Sequence, residues 1–330
     1  MTIFLVVLSV FAASIPMVSY LLLLRWLDRY EPEPLHVVAA AFLWGAIPAV
    51  LIGGVGSLIM TVPLVFIFDE SQVMFLSGAV VAPFMEEGAK AGCLLLLYFT
   101  RNFDNPTDGF VYGAAAGLGF GMTENFLYFA SMAEEGIGAW LATVVVRTLF
   151  TGLMHATASS IIGAGLGWAK FSRNRYRLLA LPLSFLAAVA VHAFWNAFLL
   201  APIVFEAGAA LPLVSFLLFP FEFLFIFAVF QGSLISESRL IKRELQVEAE
   251  LGTLPDAHVE KLASWSSRLK HANWLSKEVV AEAYFQAATL LAFRRNQHAA
   301  RPNDSTYGED VVRLRASVVA ILGGSATGDM

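Results

Sequence analysis

QVMFLSGAVVAPFMEEGAKAGCLLLLYF, residues 72–99, is long and apolar enough to cross a bilayer, yet it carries Glu86, Glu87 and Lys90 near its middle. A span needs roughly 20 apolar residues to cross about 30 Å of hydrocarbon. In a soluble protein the three charges would mark a solvated helix face, and composition decides against that. The 330 residues are 58% hydrophobic and 14% charged, where a soluble domain carries about 25% charge. The charge is also segregated: of 47 charged residues, 23 lie in 1–235 and 24 in the last 95. Working outward from 72–99, six further segments read as spans: about 2–24, 35–65, 109–133, 138–169, 178–201 and 210–235. The expected fold is an all-α polytopic membrane protein with about seven transmembrane helices in a bundle, over 1–235, and a helical cytoplasmic tail over 236–330. The first helix reads as retained rather than as a cleaved leader, because no Lys or Arg precedes it and it exceeds a signal-peptide core.

Loop charge sets the expected orientation, since Lys and Arg collect on the cytoplasmic side. The first loop holds Arg25 and Arg29, the third Arg101, the fifth Lys170, Arg173, Arg175 and Arg177, and the tail opens with Arg239, Lys242 and Arg243. The second, fourth and sixth loops hold none and carry Asp69, Glu70, Glu134, Glu135 and Glu206 instead. The N-terminus is therefore expected outside and the C-terminus in the cytoplasm. The tail, with 12 basic and 12 acidic residues, reads as short amphipathic helices near 237–250, 256–270, 276–296 and 308–321, followed by a disordered end from Gly323. Breaks fall at Gly252, Pro255 and Pro302. It shows no catalytic motif and reads as a regulatory or docking appendage. A net charge of -5 supplies no basic field of the kind that draws a protein to nucleic acid. The single cysteine, Cys93, excludes an intramolecular disulfide and a cysteine metal cage,.

An ionisable side chain at bilayer depth is costly and is by default a functional-site hypothesis. Eight such groups occur: Glu86, Glu87, Lys90, Glu124, Arg147, His155, His192 and Glu222. Glu86 and Glu87 stand four and three residues before Lys90, so the lysine can meet either acid on the helix surface. Adjacent carboxylates in a low-dielectric site do not both ionise cheaply, an arrangement that suits a general base beside a proton donor. Pro83 removes a backbone donor and should bend this helix, leaving carbonyls free near the acids. His192 and Asn196 share a face and can bind a metal, hold a water or donate to an oxyanion. Arg147, Thr151 and His155 form a second stripe. Gly113, Gly117 and Gly121 allow close helix contact, which carries Glu124 inward, with Asn125 beside it as an orienting or packing amide. Glu222, among phenylalanines, reads as structural.

Taken in order, Glu86-Glu87-Gly-Ala-Lys90, Gly119-Phe120-Gly-Met-Thr-Glu124-Asn125, His155 with its small-residue run, and His192-Ala-Phe-Trp-Asn196 resemble the PrsW family of intramembrane proteases. The turn Asp28-Arg29-Tyr30-Glu31-Pro32-Glu33-Pro34 matches it too, and the likeness covers about residues 20–200. It implies membership of the wider superfamily of CAAX prenyl proteases and bacteriocin-processing enzymes, with a buried Glu, His and Asn site. One departure stands out: the superfamily pattern Phe-x-x-x-His is Phe120-x-x-x-Glu124 here, which leaves His155 to fill that histidine's role. The residues and the resemblance converge on peptide-bond hydrolysis within the bilayer. Glu86 or Glu87 would activate a water held by His192 or His155, and Asn196 would stabilise the oxyanion with a histidine; Glu124 completes the expected catalytic set. The resemblance implies a glutamate enzyme without cofactor. A zinc site on Glu86, Glu87, His155 and His192 is the runner-up. The implied substrate is a membrane protein or lipidated peptide, such as an anti-sigma factor cut near its outer face in a signalling cascade, and the implied location is a bacterial cell membrane.

Two rival classes share some of these features. Buried Glu, His and Lys also build proton relays in transporters, but no duplicated pair of broken helices is visible in the chain. A receptor gives no reason for paired acids opposite His192 and Asn196, and a retinal protein needs a lysine in its last span, where this chain has none.

Overall fold

The computed structural model describes residues 1–28, 30–172, 174–204, 210–269, 274–275 and 279–323, and among these the chain is helical with no strand. Arg29, Arg173, Glu206, the start of the expected tail helix at 276 and the end from residue 324 lie outside the described residues, as does the side chain of Glu222. The fold divides into two compact units. One comprises Met1–Arg25, Glu33–Lys170 and Arg175–Phe230, and the other Trp26–Pro32, Phe171–Asn174 and Gln231–Met330.

The first unit contains α1 (Thr2–Leu27), α2 (Leu35–Trp44), α3 (Val50–Thr61), α4 (Glu70–Leu76), α5 (Ala82–Tyr98), α6 (Pro106–Met132), α7 (Ile137–Val146), α8 (Gly152–Phe171, nearly all within this unit), α9 (Ala180–Val204) and the start of α10 (Ala210–Glu250). Five helical runs are long and apolar enough to cross a membrane: Thr2–Leu27, Leu35–Phe66, Ile137–Phe171, Arg175–Pro202 and Leu224–Glu250. The protein is thus a polytopic all-α membrane protein, with five such runs among the described residues where seven were expected. The two expected spans that fall short include α5, with Glu86, Glu87 and Lys90, and α6, rich in glycine and carrying Asp108 and Glu124. The site's own polar residues lower the apolarity of the helices that bear them.

Helix α6 is the axis of this unit. Asn105 caps it, accepting from the amides of Thr107 and Asp108 at 2.7 and 3.0 Å, while Asp108 returns to the amide of Asn105 at 3.1 Å. This reciprocal cap satisfies donors that an open helix end leaves unpaired. From there its glycines let neighbouring backbones touch it on two sides. A Cβ at Gly113 or Gly117 would overlap the carbonyls of Ser159 or His155 on α8, and one at Gly119 would overlap that of Phe42 on α2. The expected small-residue stripe is therefore a backbone-to-backbone seam, and Tyr112, Val111, Ala115 and Leu118 fill the core around it.

Three helical runs contain a π turn: Gly45–Ala49, Ser77–Val81 and Arg147–Thr151. Such turns widen the backbone by one residue and recur at functional sites. Proline accounts for the first two, since Pro48 lies inside one and Pro83 follows the other, each removing a ladder donor,. Where a bend was expected at Pro83, the structure shows a π turn directly before its helix.

The second unit contains most of α10, then α11 (Asp256–Ala263), α12 (Trp265–Leu269), α13 (Ala281–Ala300) and α14 (Ser305–Gly323). The separate helix expected at 237–250 is instead a continuation of α10, because no Gly or Pro breaks the chain between 236 and 250. The helix expected over 256–270 is split at Ser264, whose backbone is extended. Tyr284, Leu291, Phe293, Val259 and Leu262 form the core of this unit. Glu248, with no exposed side chain, binds Arg295 at 2.5 Å and Arg315 at 2.7 Å.

Candidate active site

Helices α5, α6, α8 and α9 each deliver polar side chains to one cluster. The anchor is the ion pair between Lys90 and Glu87 at 2.5 Å, both 0% exposed. Glu87 is saturated: its Oε1 accepts from Lys90 and from His192 Nδ1 at 2.9 Å, and its Oε2 accepts from the Ser159 hydroxyl at 3.0 Å. Glu86, the neighbouring residue, has the opposite environment. Its Oε2 is buried without a hydrogen-bond partner, and 15% of its side chain is exposed. Consecutive helix positions point about 100° apart, so one acid turns into the packed core and the other toward the cluster's open side. Gly53 of α3 makes room for it; a Cβ there would stand 3.2 Å from both Cα and Cγ of Glu86.

The two histidines are bonded differently. His192 donates from Nδ1 to Glu87, which leaves Nε2 facing Glu86 Oε2 at 3.7 Å, too long for a direct hydrogen bond,. His155 has a partner on each nitrogen: Lys90 Nζ lies 3.2 Å from Nδ1, and Glu124 Oε2 lies 2.7 Å from Nε2. An ammonium only donates, so Nδ1 accepts and Nε2 donates to the carboxylate. The imidazole rings meet edge to face with centroids 4.8 Å apart. Glu124, at the position where the sequence departs from the superfamily pattern, binds His155, and Arg147 Nη2 reaches the same oxygen at 2.7 Å.

The remaining expected residues are also located. Asn196 donates from Nδ2 to the carbonyl of Gly78 at 2.9 Å, inside the π turn before Pro83. Asn125 accepts from Arg147 Nε at 3.0 Å. Thr151 is buried with a hydroxyl lacking a partner, and the π turn at Arg147–Thr151 breaks the strict stripe it was expected to share with Arg147 and His155. Cys93 is free and buried. Sequence reasoning passed over Ser159, although it lies one turn after His155, and Phe120 as the ring beneath Lys90, 4.3 Å from the ammonium. Ser159 carried a usable signal in that spacing; the contact at Phe120 carried none.

The donor set also has the chemistry of a metal centre. One ligand atom each from Glu86, His155 and His192 lies within 4.8 Å of the others. The unpartnered Oε2 of Glu86 and the free Nε2 of His192 fit a divalent ion of the zinc type, and Glu87 behind His192 is the carboxylate that commonly orients such a ligand. His155 would be the third ligand.

A helical membrane bundle that buries a carboxylate pair against two histidines has the make-up of an intramembrane hydrolase. Residues 33–229 match the family model described as PrsW family intramembrane metalloprotease. Protease PrsW of Bacillus subtilis (strain 168) is 30% identical over 197 residues, which cover 58% of this chain and 80% of that protein. Protease PrsW of Geobacillus kaustophilus (strain HTA426) is 32% identical over 202 residues, 58% of this chain and 77% of its own. No solved structure matches the chain. The chain belongs to the PrsW family and is an intramembrane peptidase, which sets the transporter and receptor readings aside.

Proposed function

We propose that this peptidase cuts a membrane-embedded regulatory protein, of the anti-sigma factor kind, with Glu86 as the general base. One observation carries the assignment: Glu86 keeps a buried carboxylate oxygen free beside His192, whereas every oxygen of Glu87 is taken. A water placed against Glu86 Oε2 and His192 Nε2 gives one proton to Glu86 as its oxygen bonds to the substrate carbonyl carbon. The carbonyl oxygen becomes an oxyanion, which the second amide hydrogen of Asn196, one helical turn from His192, would stabilise. Glu86 then passes its proton to the departing amide nitrogen as the C–N bond breaks and the oxyanion re-forms the carbonyl, leaving an amine and a carboxylic acid, which gives up the water's second proton to the amine or to solvent. Glu87 and Lys90 hold His192 and His155, and Glu124 orients His155.

The family description and the Glu86, His155 and His192 set favour a second reading within the same chemistry. Those three residues would hold a divalent metal, which supplies Lewis-acid activation of the water or carbonyl. Metal content of the purified enzyme, with activity after chelation and zinc restoration, separates the two readings. For the base, new peptide N-termini are compared in membranes carrying the native chain, Glu86→Gln or Glu87→Gln at equal protein levels. Glu86→Gln is expected to lower turnover by about three orders of magnitude or more with the fold retained. Glu87→Gln is expected to lower folded protein as well as turnover. Unimpaired cleavage by Glu86→Gln ends the proposal.

A further inference from the structure

We infer that Arg147 is a positioning residue for the reaction, acting on His155 through Glu124, an inference that rests on the reading of the site above. The π turn Arg147–Thr151 sets this guanidinium against three residues on two adjacent turns of α6. Nη2 donates to Glu124 at 2.7 Å, Nε donates to Asn125 at 3.0 Å, and the planar group lies over the Tyr128 ring, 3.7 Å from its centroid. A fork held on two edges and one face has little freedom. Glu124 passes that constraint on, because the oxygen that accepts from Arg147 also accepts from His155 Nε2 at 2.7 Å. With Lys90 at the other nitrogen, the ring of His155 is fixed in orientation and tautomer, edge-on to His192.

The shared acceptor argues that this is more than helix packing. The carboxylate oxygen that accepts from Arg147 is the one that accepts from a histidine of the site, and outer partners of metal-ligating histidines, the comparable arrangement, change activity by about 10- to 100-fold when removed.

The test measures kcat and KM per folded enzyme, on one membrane substrate, for Arg147→Lys, Arg147→Gln, Glu124→Gln and the double variant Arg147→Gln with Glu124→Gln. Lysine keeps the charge but loses the fork. Positioning predicts that both Arg147 variants lose about 10- to 100-fold in kcat with KM within about twofold, and that the double variant is no worse than the poorer single. Lower yield of folded protein with unchanged kcat overturns the inference, as does full rescue by lysine or multiplicative losses in the double variant. If Arg147→Gln does not accumulate, Arg147→Lys and Glu124→Gln carry the comparison of kcat alone. Failure here with Glu86→Gln still inactive removes only the role of Arg147; an active Glu86→Gln removes the reading beneath it.

Discussion

Glu86 and Glu87 have identical side chains and different chemistry, because one residue of helical rotation carries them from an open side to a packed one. The sequence placed both acids beside Lys90 but left their order undecided, since spacing alone permits either contact. Burial and partners decide it: Lys90 bonds Glu87 and His155, not Glu86. The lysine is therefore a structural cation. Lys90→Met keeps the bulk of the side chain and strips the counter-charge from a fully buried carboxylate, and breaking a buried pair in this way costs roughly 3–5 kcal/mol. Thermal unfolding of the purified enzyme in detergent should show a large fall in midpoint for Lys90→Met. The fall should be much smaller for Ser159→Ala, which removes one hydrogen bond worth about 1 kcal/mol. Equal midpoints for the native chain and Lys90→Met would mean that Glu87 is not charged in the fold.

At the scale of the helices, what composition determines was readable and what packing determines was not. Apolar runs and their breaks located α1, α6 and α9 to within a few residues, and the four-residue glycine spacing announced the α6 seam. The π turns were hidden, because a π turn differs from an α turn in backbone register and not in residue type; Pro48 and Pro83 mark a missing donor near two of the three without specifying that form. The bond from Asn196 to Gly78 follows from that hidden turn, so the amide could be read only as a free donor. Tail helices were harder still: with no Gly or Pro between 236 and 250 the span and its extension merge into one helix, α10, and the end of α11 at Ser264 follows no breaker residue. The seam itself gives a controlled prediction. Gly117→Ala sets a Cβ into the His155 carbonyl and must push α8 off α6, whereas Gly138 of α7 has nothing within 4 Å of such a Cβ. Gly117→Ala should lower both the unfolding midpoint and kcat, since the displaced backbone carries His155. Gly138→Ala, in the first turn of α7, should raise stability by about 0.4–1 kcal/mol, because alanine reduces the freedom of the unfolded chain and fits the helical backbone there,. A neutral Gly117→Ala would show that the two backbones do not meet there.

For the whole molecule, the side of the membrane that the site faces decides where a substrate enters. Loops with Arg25, Arg101, Lys170, Arg175 and Arg177 alternate with loops that hold only Asp69, Glu70, Glu134 and Glu135, and this asymmetry argues for the basic loops inside. On that orientation α6 runs outward, and Glu124 lies roughly 12 Å below its outer end at Met132, at about 1.5 Å per residue. Glu124, Arg147 and the exposed ring of Tyr128 then form the outer rim of the site, so a substrate segment would enter from the outer half of the bilayer. The lone cysteine makes this measurable, because Cys93 is buried and Cys93→Ala leaves a chain without thiols. In that background Glu135→Cys should react with a membrane-impermeant maleimide in intact cells, while Asn102→Cys should react only after permeabilisation; both positions are exposed in the fold. The reverse pattern would turn the molecule over and move substrate entry to the cytoplasmic half. Labelling of both positions in intact cells would instead mean that the 106–132 helix does not span, returning α6 to the five-span count that its own apolarity supports.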